Sequence, residues 1–209
     1  MRLYFGTMRT YKLTYFGGRG LGEAARMLFA FNNVPFEDVK IEEEEWIALK
    51  PKTPFGQVPV LEVDGVELAQ SFAIYRYLAN EFGLAGTTPM ERAQVDSVAD
   101  AYKDFAFTVL KYVLVNFGFA EGDAAALHTE VVVPEAARYL PSIVKVLERS
   151  GSGFCVKSGI TWADMYIAGQ LYTLRQLNTE TLKDYPQLEK LIENVMKHPK
   201  LEKYVKEWL

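Results

Sequence analysis

Cysteine and histidine are nearly missing from this chain: 209 residues hold one cysteine, Cys155, and two histidines, His128 and His198. A single thiol cannot close an internal disulfide, and no Cys-x-x-Cys pair exists for redox or zinc chemistry. The histidines stand far apart and lack metal-ligand spacing, so they read as packing or surface residues and no metal is expected. A reducing, cytoplasmic compartment suits such a composition. Basic charge is outnumbered by acidic. Lys and Arg number 23 against 27 Asp and Glu, for a net charge of −4. A nucleic-acid partner would call for a basic stripe, and none is visible. No run of about 18 apolar residues occurs, so no membrane association is expected. The opening "MRLYFGT" is too short and too polar for a signal peptide. A second methionine, Met8, follows it, and residues 1–9 read as an appendage ahead of the first strand.

What the chain has in quantity is apolar residues, 49%, with 24% charged. That suits one or two domains with a real core. Strand signals cluster in the first third. "YKLTYF" alternates and is β-branched and aromatic, and "PFEDVKI" follows. "QVPVLEV" and "VEL" are joined by Asp64-Gly65, the strongest short hairpin signal. Helical stretches lie between: Leu21 to Phe31, the acidic Glu42 to Lys50, and "QSFAIYRYLANEFG", which ends at Gly83. The order is β-α-β-α-β-β-α, an α/β unit over residues 10–84.

A break follows at "GLAGTTPMER", where Thr88 to Glu91 form a capping box with proline at the first helical position. Beyond it nearly everything is helical. Val95, Val98, Tyr102, Val109 and Val113 predict one helix of roughly six turns. A second long helix spans about Ala124 to Ser150, with Pro134 and Pro141 expected to bend or interrupt it. Thr161 to Asp164 open another with an acidic capping box, and two short helices close the chain. The expectation is an all-α domain over residues 89–209.

Three places invite chemistry. Tyr15 ends the first strand beside Gly17 and Gly18, at the mouth of a helix. A helix N-terminus favours an anion, and a phenol there can donate to the same anion or simply pack. Pro59 lies inside a strand, which marks an edge, a bulge or a cis turn; neighbouring backbone groups then pair with a peptide-like ligand or merely border solvent. Gln70 and Ser71 start a helix, as an N-cap or as a carboxylate site.

"YKLTYFGGRG", "TPFGQVPVLEVDG", "QSFAIYRYLA" and "TWADMYIA" together resemble the glutathione transferases, in wording closest to the sigma class and its nematode relatives, which include glutathione-dependent prostaglandin D synthases. The resemblance covers nearly all the chain after residue 10. It implies a thioredoxin-like domain followed by a helical domain, and a homodimer. It matches Tyr15 to a catalytic tyrosine. Trp46 and Lys50 match contacts to the glycine end of glutathione. Gln57 and Val58 match the segment before a cis-proline, Pro59, whose backbone pairs with the cysteinyl part. Gln70 and Ser71 match the pair holding the γ-glutamyl carboxylate. Asp104 matches an acid that reaches the γ-glutamyl amine in the neighbouring subunit, and Arg19 matches a structural arginine. Glutathione is then the co-substrate and a hydrophobic electrophile its partner.

Two departures stand out. Vertebrate prostaglandin D synthases place an arginine where this chain has Leu21, and an acidic cluster that binds a divalent metal where Lys103 separates Asp100 from Asp104. The rival readings are a ligandin-like binder of haem or fatty acids, a prostaglandin isomerase and a structural protein of the lens-crystallin kind. The aromatic-rich "DAYKDFAFTVLKYVLVNF" reads mostly as packing, with Tyr102, Phe105, Phe107 and Tyr112 as candidates to line part of an apolar pocket beside Tyr15. The run Glu42 to Glu45 reads as a solvated helix face, and Cys155 as a core residue.

Overall fold

The computed structural model describes residues 9–207. The appendage expected over residues 1–9 lies, except for Arg9, outside them. The chain divides into two compact units, one up to Leu78 and one from Ala79.

The first unit holds β1 (Tyr11–Phe16), α1 (Glu23–Asn32), β2 (Glu37–Ile41), α2 (Glu43–Leu49), β3 (Val60–Val63) and β4 (Val66–Ala69), and most of α3 (Ser71–Phe82). This is the expected order. The sheet runs β2-β1-β3-β4, with β1 parallel to β2 and the other pairs antiparallel. The parallel pair needs a crossover, and α1 supplies it. Leu13 of β1 faces Leu61 of β3 across one rung, and both are fully buried. Met27, Leu28 and Phe29 of α1 and Ile74, Tyr75 and Leu78 of α3 complete this core. Asp64 and Gly65 both have positive φ, 50° and 83°, as a type I′ hairpin requires.

Two boundaries differ from the sequence reading. The helix expected from Leu21 begins as a 3₁₀ turn over Gly20–Gly22 and becomes α-helical at Glu23. Gly20 has φ of +39°, which a right-handed helix cannot use. The strand expected over "QVPVLEV" starts only at Val60. Pro59 has no N–H to give the ladder.

The second unit holds α4 (Pro89–Thr108), α5 (Leu110–Asn116), α6 (Ala124–Leu127), α7 (Val133–Ser150), α8 (Trp162–Leu177), α9 (Pro186–Met196) and α10 (Glu202–Lys206). The six-turn helix is broken at Val109. The Thr108 hydroxyl donates to the Asp104 carbonyl at 2.8 Å, a back-bond that bends helices. A π-helical turn over His128–Val132 separates α6 from α7. Pro134 sits in the first turn of α7, where a missing N–H costs little, and the helix runs on through Pro141. The Thr88 hydroxyl accepts the Glu91 N–H as expected, but Glu91 returns to Thr87 instead of Thr88. With the Thr87 hydroxyl and N–H and the Ser158 N–H as donors, its carboxyl is held down at about 2.

The core helix here is α8. Trp162, Met165, Ile167, Ala168 and Leu171 are all fully buried. Its capping box forms as expected: Asp164 accepts from the Thr161 N–H at 2.7 Å. Cys155 is a free, buried core residue. Among the described residues no helix is long and apolar enough to cross a membrane.

Candidate active site

Strand register brings the three sequence candidates to one end of the sheet. Thr14, Val60 and Ala69 form a continuous rung across β1, β3 and β4. The next residue outward on each strand is Tyr15, Pro59 and Gln70. On the other side Tyr15 pairs with Lys40 of β2.

Tyr15 is half-buried, and its ring lies over the 3₁₀ turn. Its hydroxyl oxygen accepts the Leu21 N–H at 3.0 Å. A phenol oxygen that accepts one bond keeps its own proton for another acceptor. Burial pushes the phenol above its ordinary range; the Leu21 N–H and then Arg26 pull it partly back. The group therefore stays protonated at neutral pH.

The ring fits because Gly20 and Gly22 have no side chains. A Cβ on Gly20 would stand 2.5 Å from the Tyr15 hydroxyl, and one on Gly22 would stand 2.5 Å from the ring. Here glycine supplies close approach as well as conformational freedom.

Arg26 is a residue the sequence reading passed over. It is 4% exposed inside the apolar helix α1. Its Nε donates to both oxygens of Asp38, at 3.1 and 3.0 Å. Its Nη1 donates to the Gly18 carbonyl at 2.9 Å and its Nη2 to the Phe16 carbonyl at 3.0 Å. The guanidinium also stands 5.8 Å from the Tyr15 ring centroid, near the outer limit of a cation–π contact. The cation is thus satisfied while it holds the glycine turn to β1. The signal was available: one arginine within an otherwise apolar helical run.

The other candidates split into groups. Trp46 of α2 meets Phe16 edge-on at 5.8 Å, and Phe16 meets Tyr15 edge-on at 5.5 Å. Lys50 is exposed, and its aliphatic stem runs 4.0 Å from where a Gly56 Cβ would be. Gln57 accepts the Gln70 side-chain amide at 3.1 Å. The Val58–Pro59 peptide is cis. Gln70 has φ of +73°, a region that side chains avoid at a cost of order 1–3 kcal/mol. Its carbonyl nonetheless accepts the Ile74 N–H and so opens α3. Ser71, the first residue of α3, is 9% exposed.

Asp104 belongs to the helical unit and is exposed on α4. Lys103 pairs with Asp100 at 3.9 Å. Of the four candidate pocket aromatics, Tyr102, Phe105 and Tyr112 belong to the helical core, as the packing reading of their stretch has it, Tyr102 lying edge-on to Phe105 and Tyr166 at 5.6 Å each. Phe107 is 51% exposed.

Comparison with known proteins decides the family. The description "Glutathione S-transferase, N-terminal domain" matches residues 11–80, and "Glutathione S-transferase, C-terminal domain" matches residues 108–207. Glutathione S-transferase 1 of Ascaris suum is 50% identical over 96% of this chain and 97% of that protein. The chain belongs to the glutathione S-transferase family. Two solved structures are similar over most of both chains. A monomeric glutathione S-transferase from the hookworm Necator americanus is 40% identical, with a TM-score of 0.91 over 96% of this chain and 98% of that one. A Nu-class enzyme from Haemonchus contortus is 40% identical, with a TM-score of 0.85 over 95% and 97%.

In this glutathione S-transferase the fit of ring to turn has a direct test. Gly22→Ala should cost about 1–3 kcal/mol in urea unfolding, the usual penalty of overpacking. Gly17→Ala, where an added Cβ meets nothing within 4 Å, should change stability far less. Equal stability of the two variants would mean that the ring yields without cost.

Proposed function

We propose that this glutathione S-transferase binds glutathione, keeps its sulfur as the thiolate through the Tyr15 hydroxyl, and joins that sulfur to hydrophobic electrophiles. The observation that carries this reading is the row of residues one step beyond the Thr14–Val60–Ala69 rung. Tyr15, with its proton free to donate, stands in line with Pro59 and with Gln70 at the head of α3.

The chemistry follows from the thiol. A thiol with a pKa near about 8.5 is only a few per cent ionised at pH 7. A phenol donating to the sulfur favours the anion, and a shift of about two units is worth roughly 2.7 kcal/mol. The thiolate attacks an electrophilic carbon and forms the C–S bond. A leaving group departs with its electron pair, or a conjugate acceptor picks up a proton. The substrate supplies the sulfur, so the chain needs no cysteine near the site. Gln70 and Ser71 suit the γ-glutamyl carboxylate, with the partial positive charge of the α3 N-terminus behind them. Val58 and Pro59 suit the cysteinyl backbone, Gln57 braces Gln70, and Trp46 and Lys50 suit the glycine end. Glutathione turnover against aryl halides, enals, hydroperoxides and prostaglandin H2 tests the activity; binding without turnover across the panel would leave a ligandin-like protein.

Gln70→Ala and Lys50→Ala should chiefly raise the KM for glutathione, by about ten- to 150-fold for the loss of one charge-assisted hydrogen bond each. They act on ground state and transition state alike. Steady-state kinetics with glutathione varied checks this, and a loss confined to kcat in both variants would overturn the roles.

We read the class as sigma or nematode-type, from the wording of the four motifs. The reading includes detoxification of electrophiles in the cytoplasm without a metal, and a two-fold dimer. Asp96, Asp100 and Asp104 are four apart on α4 and share a helical face. In a two-fold dimer the same face serves both sites, and Asp104 meets the γ-glutamyl ammonium bound by the other subunit. Asp104→Asn should raise the glutathione KM about three- to tenfold and leave the sedimenting species a dimer. Sedimentation of the active wild-type protein as a monomer would sink the shared site.

A further inference from the structure

We propose that Tyr75 is a positioning residue for Tyr15, acting through the backbone of Leu21. The inference rests on Tyr15 being the donor to the glutathione sulfur, and it names what aims that donor.

Tyr75 lies on α3 and is fully buried, with its ring against Phe72 at 5.5 Å. Its hydroxyl donates to the Leu21 carbonyl, 54 positions away in sequence. The N–H of the same Leu21 donates to the Tyr15 oxygen at 3.0 Å. One residue thus sits between two tyrosine hydroxyls. Leu21 occupies a turn with glycine on both sides, and a chain so rich in glycine has much freedom to lose. The turn is held at two ends. Upstream, Arg26 ties down the Phe16 and Gly18 carbonyls. Downstream, the turn's own bond from the Gly22 N–H to the Arg19 carbonyl spans 3.1 Å, and Tyr75 clamps Leu21 to α3.

The position of the Leu21 N–H matters for the phenol. An N–H donated to the phenolic oxygen draws charge toward it and makes the O–H a stronger donor, since linked hydrogen bonds polarise one another. The same bond fixes which way the remaining O–H points. The charged group over the ring is Arg26 of α1, itself paired with Asp38 of β2 and Glu23 of α1. Those pairs leave Arg26 in place when Tyr75 changes. Tyr75 therefore adjusts the donor strength and aim of Tyr15 without touching the ligand.

Tyr75→Phe removes one oxygen and keeps the ring. With glutathione saturating, kcat/KM for an aryl halide at pH 6.5 should fall roughly three- to tenfold, the worth of one buried hydrogen bond. The acid limb of its pH profile should move up by about half a unit to one unit, with the KM for glutathione within about twofold of wild type. In a Tyr15→Phe background the same change should do nothing further, because the oxygen it serves is gone. A Leu21 residue with its amide replaced by an ester removes the N–H directly. It should reproduce the pH shift, and it carries the test alone if Tyr75→Phe fails to fold. An unshifted pH profile in Tyr75→Phe and in the ester variant overturns the proposal. So does an equal loss in the Tyr15→Phe background, which would mark Tyr75 as packing only. Full activity of Tyr15→Phe itself at pH 6.5 would instead remove the donor reading on which the proposal rests.

Discussion

Tyr15→Phe should lower kcat at pH 6.5 about ten- to a thousandfold, equal to about 1.4–4 kcal/mol of activation free energy, with little change in glutathione affinity. The size follows from what the hydroxyl does. It does not bind the tripeptide as such; it favours one protonation state of its sulfur. The pH dependence follows too. The Tyr15 pKa lies above its ordinary value, first because of burial. The phenol therefore keeps its proton through the neutral and mildly alkaline range. In the variant the thiol returns toward its own pKa of about 8.5. The deficit should be greatest below pH 7 and should shrink as the pH passes about 9, where the thiol ionises unaided. A ratio of wild-type to variant rates that stays flat from pH 6 to pH 9 would mean that Tyr15 acts on something other than sulfur ionisation.

What the sequence makes legible is local chemistry. Asp64-Gly65 announces a hairpin because few residues accept two successive positive φ values, and the structure has both. Thr161 and Asp164 announce the start of α8 because a capping box needs those side chains at that spacing. The glycines after β1 announce a turn, yet their second use is hidden. That a Tyr15 ring occupies the space above Gly20 and Gly22 is a fact of packing between segments. The alignment of Tyr15, Pro59 and Gln70 is likewise a product of strand register, which no single segment carries. Tyr75 hid for the same reason, and Arg26, though visible as a charge in an apolar run, hid its role: their partners lie in other elements. The break at Val109 escaped because the apolar period runs straight through it. The Thr108 back-bond that accompanies it is a side-chain choice that periodicity does not see. Tyr102, Phe105 and Tyr112 bear out the reading of their stretch as mostly packing. An aromatic stripe suits a pocket or a core equally, and here the core took three of four.

Asp164→Ala should cost the protein about 3–5 kcal/mol in urea unfolding, the largest single loss of stability expected in the helical unit. Asp164 is fully buried. Its carboxylate accepts from the Thr161 N–H at 2.7 Å, the Thr161 hydroxyl at 2.8 Å and the Cys155 N–H at 2.7 Å. Alanine strands these donors without water, each at about 1–3 kcal/mol, and removes the capping box of a helix that the core surrounds. Asp164→Asn keeps one acceptor oxygen and should lose less. The pH dependence separates charge from shape. Burial raises the Asp164 pKa, and the bonds from Cys155 and Thr161 offset that only in part. An acid whose folded pKa exceeds its unfolded value contributes stability that is full below the unfolded pKa and is lost as pH rises through the folded one. Wild type should therefore gain on Asp164→Asn as the pH falls through the raised pKa toward the ordinary aspartate value, and the gap should be narrowest at neutral pH. Urea titrations of both proteins at stepped pH measure it. A gap that narrowed on acidification would reverse the sign of the Asp164 shift. A loss below about 1 kcal/mol in Asp164→Ala would show that α8 keeps its place by apolar burial alone.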